Sequence, residues 1–219
     1  ESRDSRDMKF YLLRHGQTKW NIEGKIQGKT DVLLNEDGME QAGFLAKAME
    51  HCEARALFSS PLLRAKQTAE IVAGKMGLPV TVLPELKEVD FGLWEGCTWK
   101  EIEEKYPDDY RRWEMNPAAA APTGGESRLS CRARSRSAVE RVLRDTEGGN
   151  AVIVAHGGIL VYLIDYLLRN QKEKREIIVR NASITVIDYE KDTGLGTLLE
   201  LNRTSHLPAI RSGKTNKYC

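Results

Sequence analysis

Residues 8–21 read MKFYLLRHGQTKWN, and residues 151–158 read AVIVAHGG. Each is a short apolar run that passes directly into a histidine followed by glycine. Runs of this length, rich in Leu, Val and Ile, are predicted as strands buried on both faces, which is the habit of a parallel sheet. A single histidine at the end of a buried strand is more often structural than catalytic. Two of them, His15 and His156, with Gly16 and Gly157 beside them, raise the question of what else arrives at that sheet edge.

Between and around these strands the sequence alternates strand with helix. Asn35 caps a helix predicted over about 36–51, with Ala42, Leu45, Ala46 and Met49 on one face. Ala56–Phe58 reads as a strand, and Ser60-Pro61 as a cap and first turn of a helix that Gly77 ends. Val80–Leu83 is a third strand. Thr98 and Glu101 form a capping box for a short helix stopping near Pro107. A long helix is predicted from Ser127 to Arg144, a strand over Ala151–Ala155, and a helix over Ile159–Leu168. Two closing strands, Ile184–Tyr189 and Thr197–Leu201, flank KDTGLG and read as a hairpin. The expected fold class is α/β, a three-layer sandwich whose mostly parallel sheet carries helices on both faces and an antiparallel edge strand.

The chain has 219 residues, 41% hydrophobic and 30% charged, enough for one substantial core. A single domain over 1–219 is expected, with its core at about 8–206, an N-terminal extension or cloning remnant at 1–7 and a tail at 207–219. A formal net charge of +1 gives no field to attract nucleic acid or an anionic membrane. No apolar stretch approaches the roughly 20 residues of a spanning helix, and ESRDSRD at the N-terminus is no secretory signal. Cys52, Cys97, Cys131 and Cys219 are too scattered for a zinc or redox motif and fit reduced thiols, so a cytoplasmic location is expected. PAAAAPTGG at 117–125 reads as a loop.

In a parallel sheet, ligands bind beyond the carboxyl ends of the strands. Arg14 and His15 follow the first strand, and Arg64 sits in the first turn after the second. Glu88 follows the third and His156 the fourth. Two histidines, two arginines and a carboxylate on one rim suit a phosphoryl group. The guanidinium fork matches its oxygens, neutral imidazole is a nucleophile toward phosphorus, and a carboxyl can protonate the departing oxygen. Spacing does not choose Glu88 over Glu85, Asp90 or Glu95.

These motifs, in this order, resemble the histidine phosphatase superfamily, also called phosphoglycerate mutase-like, from about Met8 to Leu207. LLRHGQTKWN is similar to its Arg-His-Gly signature, SSPLLRAKQTA to its second arginine motif, EVDFGLWEG to its acid motif and VIVAHGG to its second histidine motif. IQGKTDVLLNEDGMEQA, PTGGES and NASITVI resemble its smaller phosphatases. The resemblance implies that His15 is phosphorylated during turnover and that Glu88 is the proton donor and later the base. It implies that Arg14, Arg64 and His156 hold the phosphoryl oxygens and that Asn21, Gln27, Gly28 and Gly157 complete the pocket. It implies a small phosphorylated metabolite as partner, with no metal or organic cofactor. A phosphomonoesterase is the expected function, alpha-ribazole 5′-phosphate being the specific substrate suggested. A cofactor-dependent phosphoglycerate mutase and a non-catalytic phosphate-binding protein are the alternatives. Monomer and homodimer are equally open.

Other residues have blander readings. His51 and His206 are taken as structural, and Arg111-Arg112 as surface. Trp94 and Trp99 could line a pocket or form aromatic core. The helix face carrying Arg128, Arg132 and Arg136 reads first as a solvated face and second as an entrance for anionic substrates.

Overall fold

The computed structural model describes residues 7–116, 120–171 and 177–209. Most of the expected N-terminal extension, part of the 117–125 loop and the tail beyond Ala209 lie outside the described residues. Six strands form one sheet in the order β3-β2-β4-β1-β5-β6. They are β1 (Asp7–Arg14), β2 (Ala54–Ser59), β3 (Val80–Val82), β4 (Asn150–Ala155), β5 (Ile184–Glu190) and β6 (Leu195–Arg203). β3, β2, β4 and β1 pair in parallel. The closing hairpin supplies the antiparallel edge pairing, β1 with β5 and β5 with β6, so the strand running against the rest is β5, one position in from the edge.

The period of two along β1 and β4 sorts their side chains onto two cores. Phe10, Leu12, Ile153 and Ala155 pack with Val139 and Val142 of α6 (Arg128–Asp145) and with Ile159, Leu160 and Leu163 of α7 (Gly157–Leu167). Leu13, Val152 and Val154 face the other way, onto Leu45 and Met49 of α2 (Glu36–Met49) and Ala65, Ala69 and Val72 of α3 (Leu63–Met76). Each fully buried aliphatic side chain contributes about 1.5–3 kcal/mol, so both central strands are held from both sides. A third, smaller core collects Ile26, Val89, Phe91, Trp94 and Ile102 above the sheet's carboxyl edge.

Three local expectations change. Ser60 and Pro61 do not start α3. Leu62 is its N-cap residue, and the Leu63 N–H is satisfied by Asp31 Oδ1 at 2.7 Å. The Ser60 hydroxyl is engaged by His156 instead. Two helices were not expected, α1 (Lys19–Glu23), closed by a Thr18–Asn21 capping box, and α5 (Pro107–Met115), which follows α4 (Trp99–Lys105) across Pro107. α5 buries no residue fully, which explains its weak apolar pattern.

Candidate active site

The register of β1 on β4 places the two histidines. Phe10 pairs with Ala151, and Arg14 with Ala155, so His15 and His156 leave the sheet level with each other. The ladder continues one residue further, His15 N–H donating to Ala155 O at 3.1 Å. Their ring centroids lie 5.2 Å apart, and both side chains are 1% exposed or less.

His15 Nδ1 lies 2.6 Å from the Gly16 carbonyl oxygen. A carbonyl only accepts, so Nδ1 carries the proton and Nε2 keeps its lone pair. Burial, then the charges of Arg64 and Arg14, holds the His15 pKa well below its ordinary value, so the ring is neutral at physiological pH. His156 is lowered likewise by burial, Arg64, His15 and Arg14. Its Nε2 shares a 2.7 Å hydrogen bond with Ser60 Oγ, which also accepts the Leu62 N–H at 3.2 Å.

Arg64 is 1% exposed, and its Nη2 and Nη1 donate to the carbonyls of Gly28 (2.6 Å) and Thr30 (2.7 Å). Burial and nearby Arg14, opposed by the Glu88 charge, lower its pKa to about 10, which leaves it cationic at neutral pH. Arg14 Nη1 donates to Val179 O at 2.7 Å, and its guanidinium lies against Gly157, where a Cβ would stand 3.2 Å from Cζ.

The four carboxylates take different partners. Glu85 pairs with Arg141, Asp90 pairs with Lys29, and Glu95 accepts from the Thr30 N–H and hydroxyl. Glu88 is the one of the four bonded to the start of α7, beside His156. Its Oε1 accepts the N–H groups of Val89 and Ile159 (both 2.8 Å), and its Oε2 accepts that of Gly158 (2.9 Å). The Gly158 and Ile159 groups are free donors at the start of α7, so Glu88 caps the helix that His156 opens.

The remaining predicted pocket residues divide. Asn21 is buried and accepts on Oδ1 from the Thr18 N–H (3.0 Å) and Asn181 Nδ2 (3.1 Å). Gln27 Oε1 accepts the Thr18 hydroxyl at 2.7 Å, and Gly28 serves through its carbonyl on Arg64, so both support the rim from behind. Gly157 lines the cleft. Asn21 Nδ2, Arg64 Nε and His156 Nδ1 are buried without a hydrogen-bond partner among the described residues. Orphaned buried N–H groups are costly, and an oxyanion at this rim is the ligand that would engage such donors.

Several contributors were not singled out as site residues from the sequence, although Asn181 and Ala182 open the NASITVI stretch. Asn181 Nδ2 donates to the His15 and Gly16 carbonyls (both 3.2 Å), and Ala182 N–H to those of Arg14 and His15 (both 3.1 Å). They precede β5, whose reversed direction puts its amino end at this rim; the hairpin signal and the resemblance of NASITVI pointed there without assigning either residue a role. His206, read as structural, braces the same turn, Nε2 to Ala182 O at 2.8 Å. Arg134 of α6 holds the segment carrying Glu88. It donates to Glu85 O and Lys87 O (both 2.7 Å) and, through Nε and Nη2, to both carboxylate oxygens of Glu126 (3.0 and 2.8 Å).

A cleft of about 240 Å³ opens beside the rim, lined by Arg14, Gly157 and Gly158 together with Val89, Phe91 and Trp113. Trp94 and Trp99 are not among its lining residues. Trp94 is fully buried in an aromatic cluster with Trp99, Tyr110 and Trp113, and Trp113 is the tryptophan presented to the cleft. The basic face also divides: Arg128 and Arg132 line the cleft, whereas Arg136 pairs with Glu140 on the exposed surface. Arg112 pairs with Asp109 at the surface.

The model of the histidine phosphatase superfamily, branch 1, matches residues 10–204. Among curated relatives, phosphoserine phosphatase 1 of Hydrogenobacter thermophilus is 34% identical over 201 residues, 91% of this chain and 94% of that one. Glucosyl-3-phosphoglycerate phosphatase of Mycobacterium tuberculosis is 37% identical over 172 residues, 75% and 77% of the two chains. Among solved structures, the alpha-ribazole phosphatase of Shigella flexneri superimposes with a TM-score of 0.79 at 29% identity, covering 94% of this chain and all of that one.

Proposed function

The chain belongs to the histidine phosphatase superfamily, and from that premise we propose that it hydrolyses a small phosphomonoester through a phosphohistidine on His15. The observation that carries this reading is the tautomer of His15, its proton committed to Gly16 O and its Nε2 lone pair retained beside the charges of Arg64 and Arg14. Nε2 attacks phosphorus while the ester P–O bond breaks, and Glu88 in its acid form gives its proton to the departing oxygen. Water then attacks the phosphohistidine, Glu88 takes its proton, the P–N bond breaks, and His15 returns neutral. Arg14, Arg64 and His156 stabilise the equatorial oxygens, with Asn21 Nδ2 and Gly157 completing the cradle. No metal enters the scheme.

Two leaving-group chemistries suit the cleft. Its aromatic wall would stack the base of alpha-ribazole 5′-phosphate, and its arginines would meet a carboxylate such as that of phosphoserine. The test is phosphate release from a phosphomonoester panel with chelator present, beside a mutase assay primed with 2,3-bisphosphoglycerate. Release that persists in chelator is expected; isomerisation without release would overturn hydrolysis. His15→Ala should abolish both turnover and the phosphoenzyme trapped by acid quench, and retained turnover would refute the nucleophile assignment.

A further inference from the structure

α6 carries six arginines, and their partners sort them. Arg134 pairs with Glu126, Arg136 with Glu140, Arg141 with Glu85 and Asp145, and Arg144 with Asp145. Arg128 and Arg132 have no carboxylate within 4.0 Å among the described residues, and they are the arginines of this helix that line the cleft. They stand one helical turn apart on the same face. Arg128 sits over Trp113, its Cζ 4.6 Å from the ring centroid, a cation–π contact that holds the guanidinium at the cleft wall. Glu126, the acid beside them in the cleft, is already held bidentately by Arg134. Asp165 is the remaining acid of the lining and stands exposed at the rim. The mouth therefore carries one net positive charge, in addition to the cationic groups assigned to the phosphoryl group.

We propose that the leaving alcohol carries a carboxylate and that Arg128 and Arg132 bind it, making α6 the specificity element of the enzyme. A monoanion matches this charge balance, whereas a second phosphate dianion would exceed it beside Asp165. The planar fork suits a carboxylate's two oxygens. The inference rests on the phosphomonoesterase reading and narrows its substrate class.

The test compares 3-phosphoglycerate with glycerol 3-phosphate, which differ by a carboxylate against a hydroxymethyl group. The wild-type enzyme is expected to favour the phosphoglycerate in kcat/KM by roughly a hundredfold, and Arg128→Gln and Arg132→Gln each to lower that ratio by about tenfold, as loss of one charge-assisted hydrogen bond does. Arg132 is exposed, so its variant keeps the test valid if Arg128→Gln disturbs Trp113. Hydrolysis of both esters with no preference, or a ratio unmoved by either substitution, overturns the subsite alone. Faster turnover of propane-1,3-diol bisphosphate or of alpha-ribazole 5′-phosphate than of phosphoglycerate overturns the carboxylate. Failure to hydrolyse any ester, p-nitrophenyl phosphate included, overturns the underlying reading instead.

Discussion

Lowering the pH from 7.5 to 5.5 should destabilise this protein through its two site histidines. His15 and His156 are 1% and 0% exposed, and each has its pKa held well below 6.5 in the folded state. In the unfolded chain both titrate near 6.5. The unfolded state thus binds more protons as the pH falls, so this stability is fully present above 6.5 and drains away below it. A histidine that stays neutral in the fold while its unfolded form protonates loses about 1.4 kcal/mol over this interval, and the pair about 2.7 kcal/mol. Other groups titrate as well: His206 is lowered and acts in the same sense, whereas Glu95 is raised and acts in the opposite one. The double variant His15→Gln/His156→Gln retains those groups and removes the pair. Urea unfolding in phosphate-free buffer at both pH values should therefore show the wild type losing about 2.7 kcal/mol more than the double variant. Equal losses would mean that the histidines protonate inside the fold, and the neutral nucleophile would be lost with them.

Arg64→Lys keeps a charge but cannot bond the Gly28 and Thr30 carbonyls while presenting a fork to phosphate; kcat/KM should fall by about a hundredfold, and near-wild-type activity would remove Arg64 from the site. Gly158→Ala places a Cβ 2.6 Å from Glu88 Oε1, so the carboxyl must move. A drop of about tenfold in kcat, with unfolding free energy changed by no more than about 1 kcal/mol, is expected, and kcat within about twofold of wild type would show that Glu88 tolerates displacement. Arg134→Gln frees the Glu85, Lys87 and Glu88 carbonyls. If Arg134 positions the proton donor, kcat/KM should fall at least about tenfold for an alkyl phosphate and far less for p-nitrophenyl phosphate, whose leaving group needs no proton. An equal fall for both esters would reduce Arg134 to a packing residue.

Much of this site was legible because it lies on short buried strands. An apolar run of five or six residues states its own direction and burial, and a histidine at its end must emerge at a known edge. Arg14, His15 and His156 were located that way, and Arg64 by its place in the first turn of α3. Glu88 was not, because its loop carries four acids and only the α7 N–H groups of Gly158 and Ile159 distinguish one of them. The Ser60 expectation failed for a related reason: a serine before proline is a good cap in isolation, but here its hydroxyl meets a histidine 96 residues away. Asn181, though it opens NASITVI, received no role because it precedes an antiparallel strand, whereas a parallel sheet advertises its rim only through residues that follow its strands.

By itself, then, the sequence determined the two-faced burial of β1 and β4, the alternation with helices and the edge at which the histidines emerge. Those follow from local periodicity and from hydrophobic burial, which each segment carries along its own length. Tertiary structure alone decided the tautomer of His15, the seat of Glu88 on α7, and which arginines of α6 find a carboxylate and which are left to the cleft. Hydrogen bonds and ion pairs are short-ranged and directional, so their partners are settled only when segments distant in sequence come within about 3 Å of one another.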